Sequence, residues 1–250
     1  MSAFAVVPST AHLLGFAAAL ALVHLLADAI PLDDPIPRAY VLSAAGGVSV
    51  AYVFVYLLPT LDGRAETIDG LDLVVVTLGR EHVYVVAFVG LAAFYGLERL
   101  ARISRGYDVE AVPRTVVDEP VFWVHVAAFC VYNGFIGYVL VAGEPIGGPA
   151  AYTVAMGLHL LGNDEAMRVH HRESYHRYGR WFLAGAVMVG FGTGLFVQVT
   201  PASHTVVIAL LTGGITFNAI KEELPPERTG SFWAFALGAG GYALFLWLIE

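Results

Sequence analysis

The chain has 250 residues, 58% of them apolar, with 13 basic and 21 acidic side chains and a mean hydropathy of +0.70. Soluble domains are roughly 45–50% apolar and about a quarter charged, so this composition disfavours a soluble enzyme domain, a disordered tail and a secreted disulfide scaffold. The net charge of −8, with Lys221 the one lysine beside twelve arginines, speaks against a nucleic-acid partner and suits a halophilic chain adapted to high salt.

Eight apolar runs follow one another between polar, proline and glycine punctuation, each near the roughly 20 residues that a spanning helix needs. They cover residues 9–30, 38–59, 81–103, 120–142, 149–170, 178–199, 203–222 and 231–249. Met1 to Pro8 lacks the positive region of a secretory leader, so the first run is expected to remain as a span. In it His24 lies well inside, and Asp28, four residues on, stands at the interface ahead of Pro31. Cys130, the single cysteine, falls mid-span and tells nothing of the redox compartment. No connection is long enough to hold a soluble domain, so residues 1–250 are expected to form a single eight-helix transmembrane domain.

Arginine and lysine bias sets the orientation. The connections after spans one, three, five and seven hold Arg38, then Arg99, Arg102, Arg105 and Arg114, then Arg168, Arg172, Arg177 and Arg180, then Lys221 and Arg228. The opposite side holds Arg64 and Arg80. Both termini are therefore expected outside the cell membrane, as an even span count requires. Lys221 runs straight into Glu222-Glu223-Leu224-Pro225-Pro226, at the membrane exit. A Schiff-base lysine would lie mid-helix, so a retinal protein is rejected.

Polar side chains deep in a span are costly and default to a functional reading. Span four carries His125, Tyr132 and Asn133; span five carries His159, Asn163, Asp164, Glu165 and Arg168. His159 and Asn163, four apart, share one helix face. An imidazole one turn from an oxygen donor is half a site for a divalent ion, with Asp164 adding a carboxylate from the flank. The alternative makes Asn163-Asp164-Glu165 the inner end of the helix, Asp164 paired with Arg168. For Asn133, helix–helix hydrogen bonding and ligand contact stand equal; His125 is expected to be a packing histidine. His170, His171 and His176 form either a metal-collecting cluster or a solvated basic rim. Glu222 and Glu223 are expected to neighbour Lys221 and Arg228.

Spans two and seven echo each other. Leu42-Ser43-Ala44-Ala45-Gly46-Gly47 reaches Pro59 at the same offset as Leu211-Thr212-Gly213-Gly214 reaches Pro226, and the two spans cross in opposite directions. Opposed copies of one unit mark secondary transporters with a midplane site; paired glycines ahead of a proline also recur for packing alone. Span two closes on Tyr56-Leu57-Leu58-Pro59, span three on Phe94-Tyr95-Gly96-Leu97-Glu98-Arg99-Leu100 and span seven on Glu222-Glu223-Leu224-Pro225. In order and spacing these resemble the ZIP family of divalent metal (zinc, iron) transporters.

The resemblance implies an all-α polytopic membrane protein, a ZIP-like bundle of eight transmembrane helices in which helices 1–3 and 6–8 form an inverted repeat. Where the family's fourth helix shows a His-Asn pair with an acid three residues later, this chain has Tyr132-Asn133 and Ile136. Where the fifth reads His-Glu-x-x-His-Glu, this chain reads His159-Leu160-Leu161-Gly162-Asn163-Asp164. Asn133, His159, Asn163 and Asp164 thus carry over as metal-site positions, and the missing acids disfavour a two-metal site. The expected function is passage of a divalent cation, zinc by default, between helices four and five. The alternatives are a transport-inactive scaffold, sensor or accessory subunit, and a channel or carrier for another small solute or proton. An enzyme is not expected, since no His-Glu-x-x-His run occurs. The expected partners are the lipid bilayer and a second copy, docked through Gly185, Gly190 and Gly194.

Overall fold

The structure, a computed structural model, describes residues 9–27, 38–65, 82–104, 114–143, 148–223 and 230–249. Among these residues all regular structure is helical. In chain order the helices are α1 (Thr10–Leu26), α2 (Arg38–Gly63), α3 (His82–Ser104), α4 (Arg114–Ala142), α5 (148–170), α6 (His171–Phe196), α7 (Pro201–Glu223) and α8 (Phe232–Ile249). Six of them, α2, α3, α4, α6, α7 and α8, contain stretches long and apolar enough to cross a membrane, and α1 is a shorter apolar helix. The helix that falls short on apolarity is α5, which carries the polar residues singled out above. Phe88 of α3 and Phe232, Trp233, Leu237 and Trp247 of α8 stand exposed on the outside. Lipid accommodates such an apolar periphery and water does not.

Three close helix pairs frame the bundle: α2 on α8, α3 on α7 and α4 on α6. Small residues bring the backbones together, as is usual where no hydrophobic drive operates between helices. A β-carbon at Gly213 would collide with the carbonyl oxygen of Ala87, and one at Gly190 with that of Gly134. Gly190 and Gly194 are therefore occupied inside the chain against α4. Of the three glycines expected to face a second copy, only Gly185 has open space beside it. The central helix is α5, which touches α1, α2, α4 and α7. Tyr152 on it and Tyr242 on α8 each meet Tyr52 of α2 edge to face, at 6.0 and 6.4 Å between ring centroids. Tyr152 donates to the carbonyl of Ile136 and Tyr242 to that of Ala151.

Two helix ends differ from the expected ones. Pro59 does not close α2, which runs on to Gly63 after a π-helical turn at Val53–Leu57. Proline has no N–H to give the preceding turn, and the widened turn just ahead lets the helix continue past it. Residues 172–177, expected as part of a connection, are helical. α5 passes into α6 through one non-helical residue, His171 (φ −141°, ψ 48°), and a π turn at Tyr175–Gly179. Asp28 and the side chains of His170, Glu222, Glu223 and Arg228 lie outside the described residues.

Candidate functional site

The positions four apart on α5, His159 and Asn163, share a face turned toward α4. Tyr132 Oη lies 2.7 Å from His159 Nε2, and Asn163 Nδ2 lies 3.1 Å from the same nitrogen. An amide nitrogen only donates, so Nε2 is the acceptor and the imidazole proton sits on Nδ1. His159 is therefore a neutral ring with its Nε2 lone pair shared between a phenol and an amide, the form in which imidazole ligates metals. A small cavity adjoins it, with about 10 Å³ of room, lined by Ala45, Gly46 and Ser49 of α2, His159, Gly162 and Asn163 of α5, and Asn218 of α7. That is on the order of one water molecule. A second cavity of equal size continues from Asn218 toward His125, Glu98 and Lys221. There Lys221 Nζ lies 3.2 Å from Glu98 Oε2.

Asp164 is five residues from His159, about 140° further round at 3.6 residues per turn, so it faces another neighbour. Its Oδ1 lies 2.7 Å from Nδ1 of His24 on α1, and both side chains are buried. Asp164 Oδ2 and His24 Nε2 are buried with no hydrogen-bond partner. This overturns the expected pairing of Asp164 with Arg168. Arg168 instead binds Glu165, Nε to Oε2 at 3.0 Å and Nη2 to Oε1 at 2.9 Å. Glu165 also takes Arg38 from the start of α2. The physical reason is register: Glu165 and Arg168, at i and i+3, share a face, whereas Asp164 is turned to α1. Nor does α5 end at Asn163-Asp164-Glu165; the helix continues to the bend at His171.

The four expected metal positions thus fall into three groups. His159 and Asn163 join each other, Asp164 joins His24, and Asn133 is buried with neither amide atom hydrogen-bonded. A buried amide without partners costs about 1–3 kcal/mol per unsatisfied group, and such groups call for an explanation. Among the described residues, no three His, Cys, Asp or Glu side chains come close enough to hold a metal ion. His125, read as a packing histidine, is buried, with Nδ1 2.9 Å from the carbonyl oxygen of Val121 and its ring 5.5 Å from that of His171. His171 is likewise buried and packs on Phe122 at 5.4 Å, so it is no part of a solvated rim.

His24, Asn218 and Glu98 join the polar interior without having been singled out as site residues. Asn218 carried a usable signal, an amide inside an apolar run three residues before Lys221. His24 was visible as a histidine inside span one, but its partner stands 140 residues away. Tyr132→Phe is expected to remove one donor from His159 at a cost of about 1 kcal/mol. The check is a lowered melting temperature together with a moved ¹⁵N resonance of His159 Nε2. An unmoved resonance would show that the phenol does not bond that nitrogen.

No protein-family model matches the chain, and no curated protein sequence matches it.

Proposed function

We propose that the chain is a ZIP-like integral membrane protein, with both termini outside the cell membrane, that passes a divalent cation, zinc by default. The observation that carries the reading is His159. Its lone-pair nitrogen is buried within the bundle and flanked by Asn163, with the small cavity alongside it reaching α2 and α7. A cation takes that lone pair when the Tyr132 hydroxyl swings away. Asn163 supplies an amide oxygen after a flip of its side chain. One ion in an oxygen- and nitrogen-rich set with few carboxylates binds weakly, as a carrier requires for release.

Support for an inverted repeat comes from the helix pairing. Exchanging helix 1 with 6, 2 with 7, 3 with 8 and 4 with 5 turns the α2–α8 pair into α7–α3 and the α4–α6 pair into α5–α1, all of which pack together. Both glycine pairs serve these helix contacts, though one residue out of register with each other, since Gly213 is the counterpart of Gly46 and not of Gly47. Gly47 of α2 admits the backbone of Phe235 on α8, and Gly213 of α7 admits that of Ala87 on α3. Rocking of such opposed units around a central site is the alternating-access motion of secondary carriers.

The test is zinc uptake into vesicles reconstituted with the full chain, wild type against His159→Ala. Uptake above empty vesicles by the wild type, abolished in the variant, is the expected result. Background uptake by both removes transport and favours the second reading, a transport-inactive scaffold or accessory subunit. The water-sized cavities are the observation that keeps this second reading in play.

A further inference from the structure

A far larger cavity than the two beside His159 and Asn218 lies elsewhere in the bundle. It is an open groove of about 810 Å³ between α4 and α6, floored by Gly134, Gly185 and Ala186 and flanked by Phe135, Trp181 and Phe182. Its one hydroxyl-bearing wall residue on α6, Thr193, donates to the carbonyl of Val189, one turn back on its own helix. The groove therefore asks for a hydrocarbon occupant. From Trp181 to Thr193 it follows α6 for about 18 Å at 1.5 Å per residue. One leaflet of the hydrocarbon core is about 15 Å deep.

Cations stand at one end. The Arg180 guanidinium sits 5.5 Å from the ring centre of Trp181, which lines the groove. One turn further on the same side, Arg177 lies 5.2 Å from the ring centre of Tyr178. Tyr178, Trp123 and Phe182 pass ring to ring from there back into the groove, at 6.0 and 5.7 Å. Neither arginine meets an acidic side chain among the described residues, and the buried Nε of Arg180 has no acceptor. Aromatic rings and arginines gathered at the end of an apolar slot form the pattern that takes a phosphate with its acyl chain.

We propose that the groove between α4 and α6 is a binding site for one anionic phospholipid, its acyl chain along Gly134, Gly185 and Ala186 and its phosphate on Arg177 and Arg180. A second copy of this chain is the less suitable occupant. A two-fold interface sets a patch against itself, which would bring these same arginines toward each other, with no acidic partner for either among the described residues.

The experiment is native mass spectrometry of the full chain released from nanodiscs containing phosphatidylglycerol and phosphatidylcholine of equal chain length. The wild type is expected to keep phosphatidylglycerol in preference to phosphatidylcholine. Arg177→Gln/Arg180→Gln is expected to weaken that preference about 30-fold, from about 1 kcal/mol for each arginine near the headgroups. Gly185→Leu fills the groove, since a β-carbon there meets nothing within 4 Å; it is expected to lose the lipid adduct while melting like the wild type. Equal retention of both lipids by the wild type and the arginine variant would overturn the proposal, as would an undiminished adduct in Gly185→Leu. A lipid-free dimer that Gly185→Leu dissociates would also overturn it, assigning the groove to a second copy.

Discussion

Gly213→Leu is expected to leave little correctly folded protein. At Gly213 the backbones of α7 and α3 are in direct contact, and a β-carbon would overlap the carbonyl oxygen of Ala87 and crowd the amide of Leu91. Those atoms belong to a helix backbone and cannot rotate aside as a flexible side-chain tip does. Relief requires the helices to separate, which strips contacts along their whole length. Overpacking costs about 1–3 kcal/mol when side chains absorb it, and a backbone collision belongs at or above the upper end. Against a total stability of about 5–15 kcal/mol, that loss is expected to appear as a collapse of the monodisperse peak on size exclusion and a much lower melting temperature. Gly185→Leu is the matched control, because a β-carbon there meets nothing within 4 Å and the side chain extends into the open groove. Equal melting of the two variants would mean that α3 and α7 stand further apart than described.

Asp164→Ala is expected to cost about 3 kcal/mol, because it leaves the buried His24 imidazole with no partner in the middle of a helix contact. His24→Leu alone should cost a similar amount by stranding the carboxylate. The double variant His24→Leu/Asp164→Leu, which replaces the pair by hydrocarbon, is expected to recover most of the loss, as buried pairs exchanged for apolar side chains do. A thermal double-mutant cycle reads this coupling directly. Additive losses in the double variant would show that the two side chains do not depend on each other.

The placement of the helices was legible because long apolar runs announce themselves: each of the eight described helices overlaps one, and six of them are long and apolar enough to cross a membrane. The continuity of α5 with α6 was not. Residues 171–177 read as a polar connection, yet they hold Arg172, Glu173 and Arg177 with no glycine or proline before Gly179, and nothing in their propensities stops a helix. Of the site, the part set by helix periodicity was legible, namely His159 and Asn163 on one face. Asp164 was placed on their flank, but only the packing of α1 against α5 decides which neighbour it meets. A polar residue's direction around its helix follows from spacing; its partner does not.

The bend at His171 has a mechanical meaning. Connecting loops give neighbouring rods slack, so that one slides while the next stays still. A hydrogen-bonded helix interrupted at a single residue gives almost none. The segment bearing His159 and the segment clamped on α4 through Gly190 behave as the two arms of a crank with its elbow at His171. A tilt of one arm is therefore expected to displace the other, since the outer arm is anchored to its neighbour where the backbones of Gly190 and Gly134 touch.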